Sequence, residues 1–358
     1  MSLLRLPPEI LTQVMDHVGS SYFRHDLGRL TVCKRWFIFA RIACFKNLQY
    51  SQKTLRRLLS SQDVERSLLA IKGSLEILDL ELKGFEDWSS IPEPLSNPQD
   101  ADLWDIFIWG GDLGRALLAD WTTVLDNDLA QLAVTVKNSP RLRMIRIQTS
   151  SERHPLLPHL PRRDYFSLST VRTLLSVENL TVLELDLCGT HLVPQQEHGD
   201  DFHICTSIGA LLTTLRRLRL RMRSICPDVL RPQHQDTDLR LSEVLINLSL
   251  SEKSPMTTAA AHSTRCGSTG GGFLQLKADI EDQAKALAAR MASPKTMRIL
   301  THSFPHIEMQ SLDVLTGKNM TLESDDDMEW EDDGKTVEDV SDLESEISDD
   351  DSSTFYDA

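Results

Sequence analysis

This 358-residue sequence predicts an α/β fold of repeated helix–strand units, and three observations point to it. An L-x-x-L-x-L run of leucine or a similar aliphatic residue fits six places along the chain. Stretches with helical apolar spacing lie between several of those runs. The first fifty residues show helical spacing alone, whereas the last thirty-six are mostly acidic. The expected architecture is an N-terminal three-helix unit (1–50), an irregular α/β solenoid (51–320) and a disordered acidic tail (321–358).

Composition narrows the function classes. A hydrophobic share of 41% suits a folded soluble chain. No apolar run approaches the ~20 residues a bilayer demands, and the N-terminus shows no charged-then-apolar leader, so no membrane role is expected. The six cysteines (33, 44, 188, 205, 226 and 266) include no C-x-x-C pair and read as reduced thiols of an intracellular protein, cytoplasmic or nuclear. Residues 323–358 hold seventeen Asp and Glu against one Lys, which leaves the remaining 322 residues near neutrality despite the overall charge of −15. A neutral body with an acidic tail follows.

The elements can be justified in order. Pro7 and Pro8 pre-set a helix start and Glu9 suits its positive end. Ile10, Leu11, Val14, Met15 and Val18 then form one apolar stripe. Gly19-Ser20-Ser21 breaks that helix, and Asp26 can cap a second short one. From Leu30, the residues Val32, Cys33, Trp36, Phe37 and Ala40 mark a third helical face. Fifty residues bury too little on their own, so this unit needs a partner or the rest of its chain.

These residues resemble an F-box. The motif LPPEIL, the pair Asp26-Leu27, the run VCKRW and the later Ala40, Phe45 and Leu48 occur in order over about residues 3–50. Two features depart from the compact form: the loop GSSYFRHD is longer, and WFIFARIA is more apolar. The resemblance implies docking on the Skp-type adaptor of a Skp–cullin–F-box assembly, and through it on a cullin–RING ligase. Carried over by position, Leu6, Pro7, Glu9, Ile10, Val14, Leu27, Leu30, Val32 and Trp36 would form or support the adaptor surface.

Residues 53–71 read as one amphipathic helix. The L-x-x-L-x-L template then fits Leu75/Leu78/Leu80, Leu142/Ile145/Ile147, Leu180/Leu183/Leu185, Leu215/Leu218/Leu220, Leu245/Leu248/Leu250 and Met309/Leu312/Val314. Helical patterns lie at DNDLAQLAVTVKN, LSTVRTLLSVE, HICTSIGALLT and IEDQAKALAARM. The intervals of 67, 38, 35, 30 and 64 residues exceed the usual ~20–29 of leucine-rich repeats, so the domain is leucine-rich-repeat-like rather than regular. Two inserts explain the long gaps: 85–121, rich in Pro, Asp and Trp, and 251–272, a loop of small residues expected to be flexible.

Within such a strand the leucines face the core and the alternate residues face out. Arg217, Arg219 and Arg221 therefore emerge together, with Arg146 two strands away and Asp79, Glu81, Glu184 and Asp186 around them. Arginine forks grip carboxylate or phosphate, so these four arginines are the candidate face for an acidic or phosphorylated protein target; the competing reading is a solvated face neutralised by Glu184 and Asp186. Nucleic acid is not expected, because no aromatics interleave with the arginines. Ser324, Ser341 and Ser348 each have an acid three residues on, as acidophilic kinase sites do, Ser345 has Glu346 beside it, and the tail could fold back on the arginines.

No catalytic set emerges. The group His191, His198, Asp200, Asp201, His203 and Cys205 fits no standard zinc spacing, GSTGGGF lacks the Lys-Ser/Thr of a phosphate loop, and GGDLGR lacks a dinucleotide context. The sequence thus predicts neither metal, cofactor nor enzyme. It predicts a non-catalytic receptor of a ubiquitin ligase that brings a target protein near the charged conjugating enzyme, or, in the alternative, an F-box scaffold acting outside a ligase.

Overall fold

The computed structural model describes residues 5–85, 111–150, 165–193, 203–233, 239–250, 261–267, 272–302, 309–322 and 335–336, with side chains left aside at 27, 111–115, 193, 261 and 335–336. The N-terminal unit holds α1 (Pro8–Val18), α2 (Ser20–His25), a 3-10 turn (Leu27–Leu30) and α3 (Lys34–Lys46). Gly19 at φ +83° ends α1, since only glycine takes that backbone cheaply. The chain re-enters a helix at Ser20, so the segment expected as a break and a long loop is itself α2. Asp26 caps the 3-10 turn rather than a helix, its Oδ1 accepting from the Gly28 N–H at 2.9 Å.

The segment 53–71, expected as one helix, is two. Ser51 forms a capping box with Thr54 at the start of α4, and Ser60 to Asp63 interrupt before α5. The elements that follow α3 are β1 (Asn47–Ser51), α4 (Gln52–Leu59), α5 (Val64–Ser74), β2 (Ile77–Leu82), α6 (Gly111–Lys137), β3 (Met144–Thr149), α7 (Leu168–Leu175), β4 (Val182–Leu187), α8 (Cys205–Leu211), β5 (Arg217–Met222), β6 (Glu243–Asn247), α9 (Phe273–Ala288), β7 (Thr296–His302), β8 (Met309–Asp313), β9 (Asn319–Leu322) and β10 (Lys335–Thr336). α6 begins at Gly111, so the last eleven residues of the expected 85–121 insert are helix; 86–110 lie outside the described residues. Trp121 on α6 stacks edge-on between Phe85 and Tyr165, with centroids 5.5 and 5.9 Å away.

The fold is mixed α/β around one large sheet. Its ten strands lie side by side in chain order, parallel from β1 to β7 and antiparallel from β7 to β10. Register aligns two apolar rows across the seven parallel strands. One row runs Leu48, Leu78, Ile145, Leu183, Leu218, Val244, Met297, and the other Tyr50, Leu80, Ile147, Leu185, Leu220, Ile246, Ile299. All fourteen are buried in the main core beneath the helices. Each such side chain contributes about 1.5–3 kcal/mol through the apolar area it removes from water.

The rows correct the template at three places. The fifth run, expected as Leu245/Leu248/Leu250, is slipped: Val244 and Ile246 face the main core, while Leu245 pairs with Arg219 and joins a small cluster with Leu300, Met309 and Leu322. β6 is buried on both faces, so alternation could not tell the two apart. The sixth run, at Met309, is the antiparallel β8, whereas the parallel strand before it, β7, has no leading leucine and escaped the template. β1 escaped likewise, because Leu48 was assigned to the N-terminal unit.

Part of the expected flexible loop 251–272 is also ordered structure. Ala261–His262 pairs antiparallel with Ser249–Leu250, and Thr264–Arg265 pairs parallel with Ser224–Ile225; 251–260 and 268–271 lie outside the described residues. In the tail, β9 and β10 belong to the sheet, whereas 323–334 and 337–358, with the four serines named above, lie outside the described residues. Among the described residues no helix is long and apolar enough to cross a membrane.

Candidate functional site

The N-terminal helices pack around Met15, Phe23, Ala40, Ala43 and Cys44, with Leu30, Trp36 and Phe39 against them. This small core is separate from that of the sheet. Trp36 is fixed twice: its Nε1–H donates to the Arg29 carbonyl at 2.6 Å, and its ring meets Phe23 edge-on at 6.3 Å. The Arg35 guanidinium donates to the Leu6 carbonyl at 2.8 Å and ties the entry of α1 to α3. Lys46 at the end of α3 bonds Asp16 on α1 at 3.0 Å and Glu76, just before β2, at 3.3 Å.

Of the positions expected on an adaptor surface, Pro7, Glu9, Ile10 and Val32 are exposed, Leu6, Val14, Leu30 and Trp36 are half-buried, and the Leu27 side chain is not described. Val32 is the most open, at 65%. Around these positions Val18, Tyr22, Phe37 and Ile38 are exposed as well. Among the described residues, six of the eleven exposed large hydrophobic residues thus fall between 10 and 38, so this segment leaves more of its apolar side chains in water than the rest does.

The outward face of the sheet is a lattice of opposite charges. Register places Asp79, Arg146, Glu184 and Arg219 side by side on β2 to β5. Arg146 Nε lies 2.6 Å from Glu184 Oε2 and its Nη1 3.9 Å from Asp79. Arg217 Nε meets Glu243 at 2.6 Å, with Glu184 at 3.8 Å, and Arg219 approaches Glu184 at 4.0 Å. The Arg221 fork grips Asp186, with Nε to Oδ1 at 2.9 Å. Arg219 and Arg221 are deeply set, and Arg146 and Arg217 are the open ends of the lattice. The basic rung read from sequence is therefore largely neutralised by its neighbours. Burial lifts the Asp79 carboxyl above its ordinary range, with Arg146 opposing the rise and Glu81 and Glu184 adding to it.

A second constellation was missed by spacing. His203, Cys205, Cys226 and Cys266 converge, with their ligand atoms all within 4.8 Å of one another. Cys205 Sγ is 3.7 Å from Cys266 Sγ, and Cys226 Sγ is 3.7 Å from His203 Nδ1. His203 and Cys205 flank the start of α8, and Cys226 opens the 3-10 turn Pro227–Leu230. Cys266 follows the strand Thr264–Arg265, and its N–H donates to the Ile225 carbonyl. Gly209 lets α8 approach this turn: a Cβ there would lie 2.6 Å from the Asp228 and Arg231 carbonyl oxygens. Thiol donation from Cys205 and then Cys266 pulls the Cys226 thiol well below its usual range. Of the acids and histidines weighed from sequence, His198, Asp200 and Asp201 lie outside the described residues, and His191 lines a neighbouring pocket with His203. Only the pairing of Thr264–Arg265 with Ser224–Ile225 could have shown that distant cysteines meet, and two-residue strands leave no periodic signal. Comparison with protein-family models finds no match, and no curated protein matches the sequence.

Proposed function

We propose that this chain is the substrate-recognition subunit of a Skp–cullin–F-box ubiquitin ligase. The observation that carries the reading is the cluster of exposed apolar residues between 10 and 38, on the segment that holds the F-box-like motifs. A Skp-type adaptor covering Ile10, Val32 and their neighbours would bury what the chain leaves in water. The sheet domain would present the target. Its reading as leucine-rich-repeat-like draws support from strands stacked in chain order and from Cys188, at the ninth position of its run, whose thiol reaches the Thr149 carbonyl of the preceding strand at 3.8 Å. Target contact falls to Arg146 and Arg217, the open ends of the charge lattice, while Arg219 and Arg221 hold the face together. The chain supplies no catalytic group and acts by proximity.

Co-purification of the full chain with a Skp-type adaptor tests the reading. Ile10→Glu/Val32→Glu should abolish the complex while leaving circular dichroism and the thermal midpoint unchanged, since both side chains are already exposed. A wild-type chain that captures no adaptor would overturn the proposal.

A further inference from the structure

We propose that His203, Cys205, Cys226 and Cys266 form a structural zinc site that pins the turn after β5 and the strand Thr264–Arg265 to the start of α8. Three sulfurs and one imidazole nitrogen are a complete four-ligand set for a closed site. A tetrahedron with Zn–S near 2.3 Å and Zn–N near 2.0–2.1 Å has edges of roughly 3.4–3.8 Å. The two contacts of 3.7 Å, from Cys205 to Cys266 and from Cys226 to His203, have that length.

The convergence does not rest on side-chain placement alone. Backbone pairing of Arg265 with Ile225 sets Cys266 beside Cys226. The close approach at Gly209 brings the α8 start, with Cys205, against the same turn. Ligands 61 residues apart in sequence are thus aligned by two independent backbone contacts. Cys205 and Cys226 are buried, whereas His203 and Cys266 are half-buried and face surface pockets, which gives the ion a path in.

A disulfide explains the cluster less well. It would consume two of the three thiols and leave the third with His203 and no purpose, whereas a metal uses all four. On binding, each thiol releases its proton to solvent, and three thiolates with one neutral imidazole offset the dication. Zinc is the ion of choice because three soft thiolates and an imidazole select it over harder cations. The site is a staple: it joins the start of α8, the turn after β5 and the strand Thr264–Arg265, whose Arg265 pairs with Asp279 of α9.

The test uses the full chain, purified through a tag without histidines in chelator-free buffer, with metal measured by plasma mass spectrometry. About one zinc per chain is expected. Cys226→Ser and Cys266→Ser should lose it, and Cys33→Ser, in the N-terminal unit, should keep it. Should the serine variants fail to fold, cobalt loading of the wild type decides. Tetrahedral Co²⁺ would show intense visible absorption with a thiolate charge-transfer band, and His203→Cys would keep the metal and move that spectrum toward a four-thiolate pattern. Wild-type protein with neither stoichiometric zinc nor the cobalt spectrum would sink the proposal, as would a Cys205–Cys266 disulfide in peptide maps. Adaptor binding is read separately, so failure of either proposal leaves the other standing.

Discussion

Glu184 is the residue on which the outward face turns. Its buried carboxylate lies 2.6 Å from Arg146, 3.8 Å from Arg217 and 4.0 Å from Arg219. Glu184→Ala would remove the carboxylate that three arginines share, leaving Arg146 with Asp79 and Arg217 with Glu243, at a cost of about 1–3 kcal/mol once the partial exposure of the arginines is allowed for. Arg217→Ala removes one half-open partner and should cost less than ~1 kcal/mol. Urea titration of both variants checks the asymmetry; equal costs would show that the lattice contributes nothing cooperative. Cys188 is a contrasting case. Burial, with Asp186 beside it, pushes its thiol up to about 12, so it should resist alkylation at neutral pH while Cys33 reacts. Mass spectrometry after a short iodoacetamide pulse reads the difference.

At the scale of the element, Gly209→Ala should destabilise by about 1–3 kcal/mol, because its new Cβ would press on two carbonyl oxygens and drive α8 from its turn. A pH effect belongs here too. Burial, with His302 nearby, lowers His262 from 6.5 to about 4, and Phe273 of α9 covers its ring at 3.9 Å. The folded state therefore disfavours the proton that the unfolded chain accepts. Stability should fall as pH drops from about 6.5 to about 4 and level off below, with no contribution from this group above 6.5. Urea midpoints against pH for wild type and His262→Gln would expose it as a difference that changes across that window and is constant on either side of it.

The strands that sequence showed best were those with one face in the core and charge on the other. β2, β3, β4 and β5 follow the leucine template because Asp79, Arg146, Glu184 and Arg219 alternate with it. β6 and β7 are buried on both faces, so period-two reasoning had nothing to hold and slipped at Leu245. The charge mosaic was visible from spacing alone, whereas choosing between an open basic rung and one neutralised by Glu184 and Asp186 needed the register. The thiol cluster could not be read, since it depends on a two-residue pairing across an irregular excursion.

On the scale of the whole molecule, α3 runs into β1 with no linker, Lys46 being followed at once by Asn47. The N-terminal helices and the sheet are therefore joined without a linker, and a receptor of the kind proposed would use such a join to hold its target at a fixed distance from the transfer site. A Gly-Ser-Gly insertion between 46 and 47 should leave adaptor capture intact and slow target ubiquitylation in a reconstituted ligase. An unchanged rate would mean that rigidity here is incidental.

The order of the sheet, strand after strand as the chain runs, has a consequence for biosynthesis. Each parallel strand after β1 leaves the ribosome with one neighbour already made, and until the next one arrives it presents an open row of amides and carbonyls. The reversal of direction at β8 and β9 closes that row against the parallel series. A nascent chain stalled after β7 would carry its stickiest edge uncovered. Messages truncated there should yield aggregates, where those that reach Leu322 yield soluble protein.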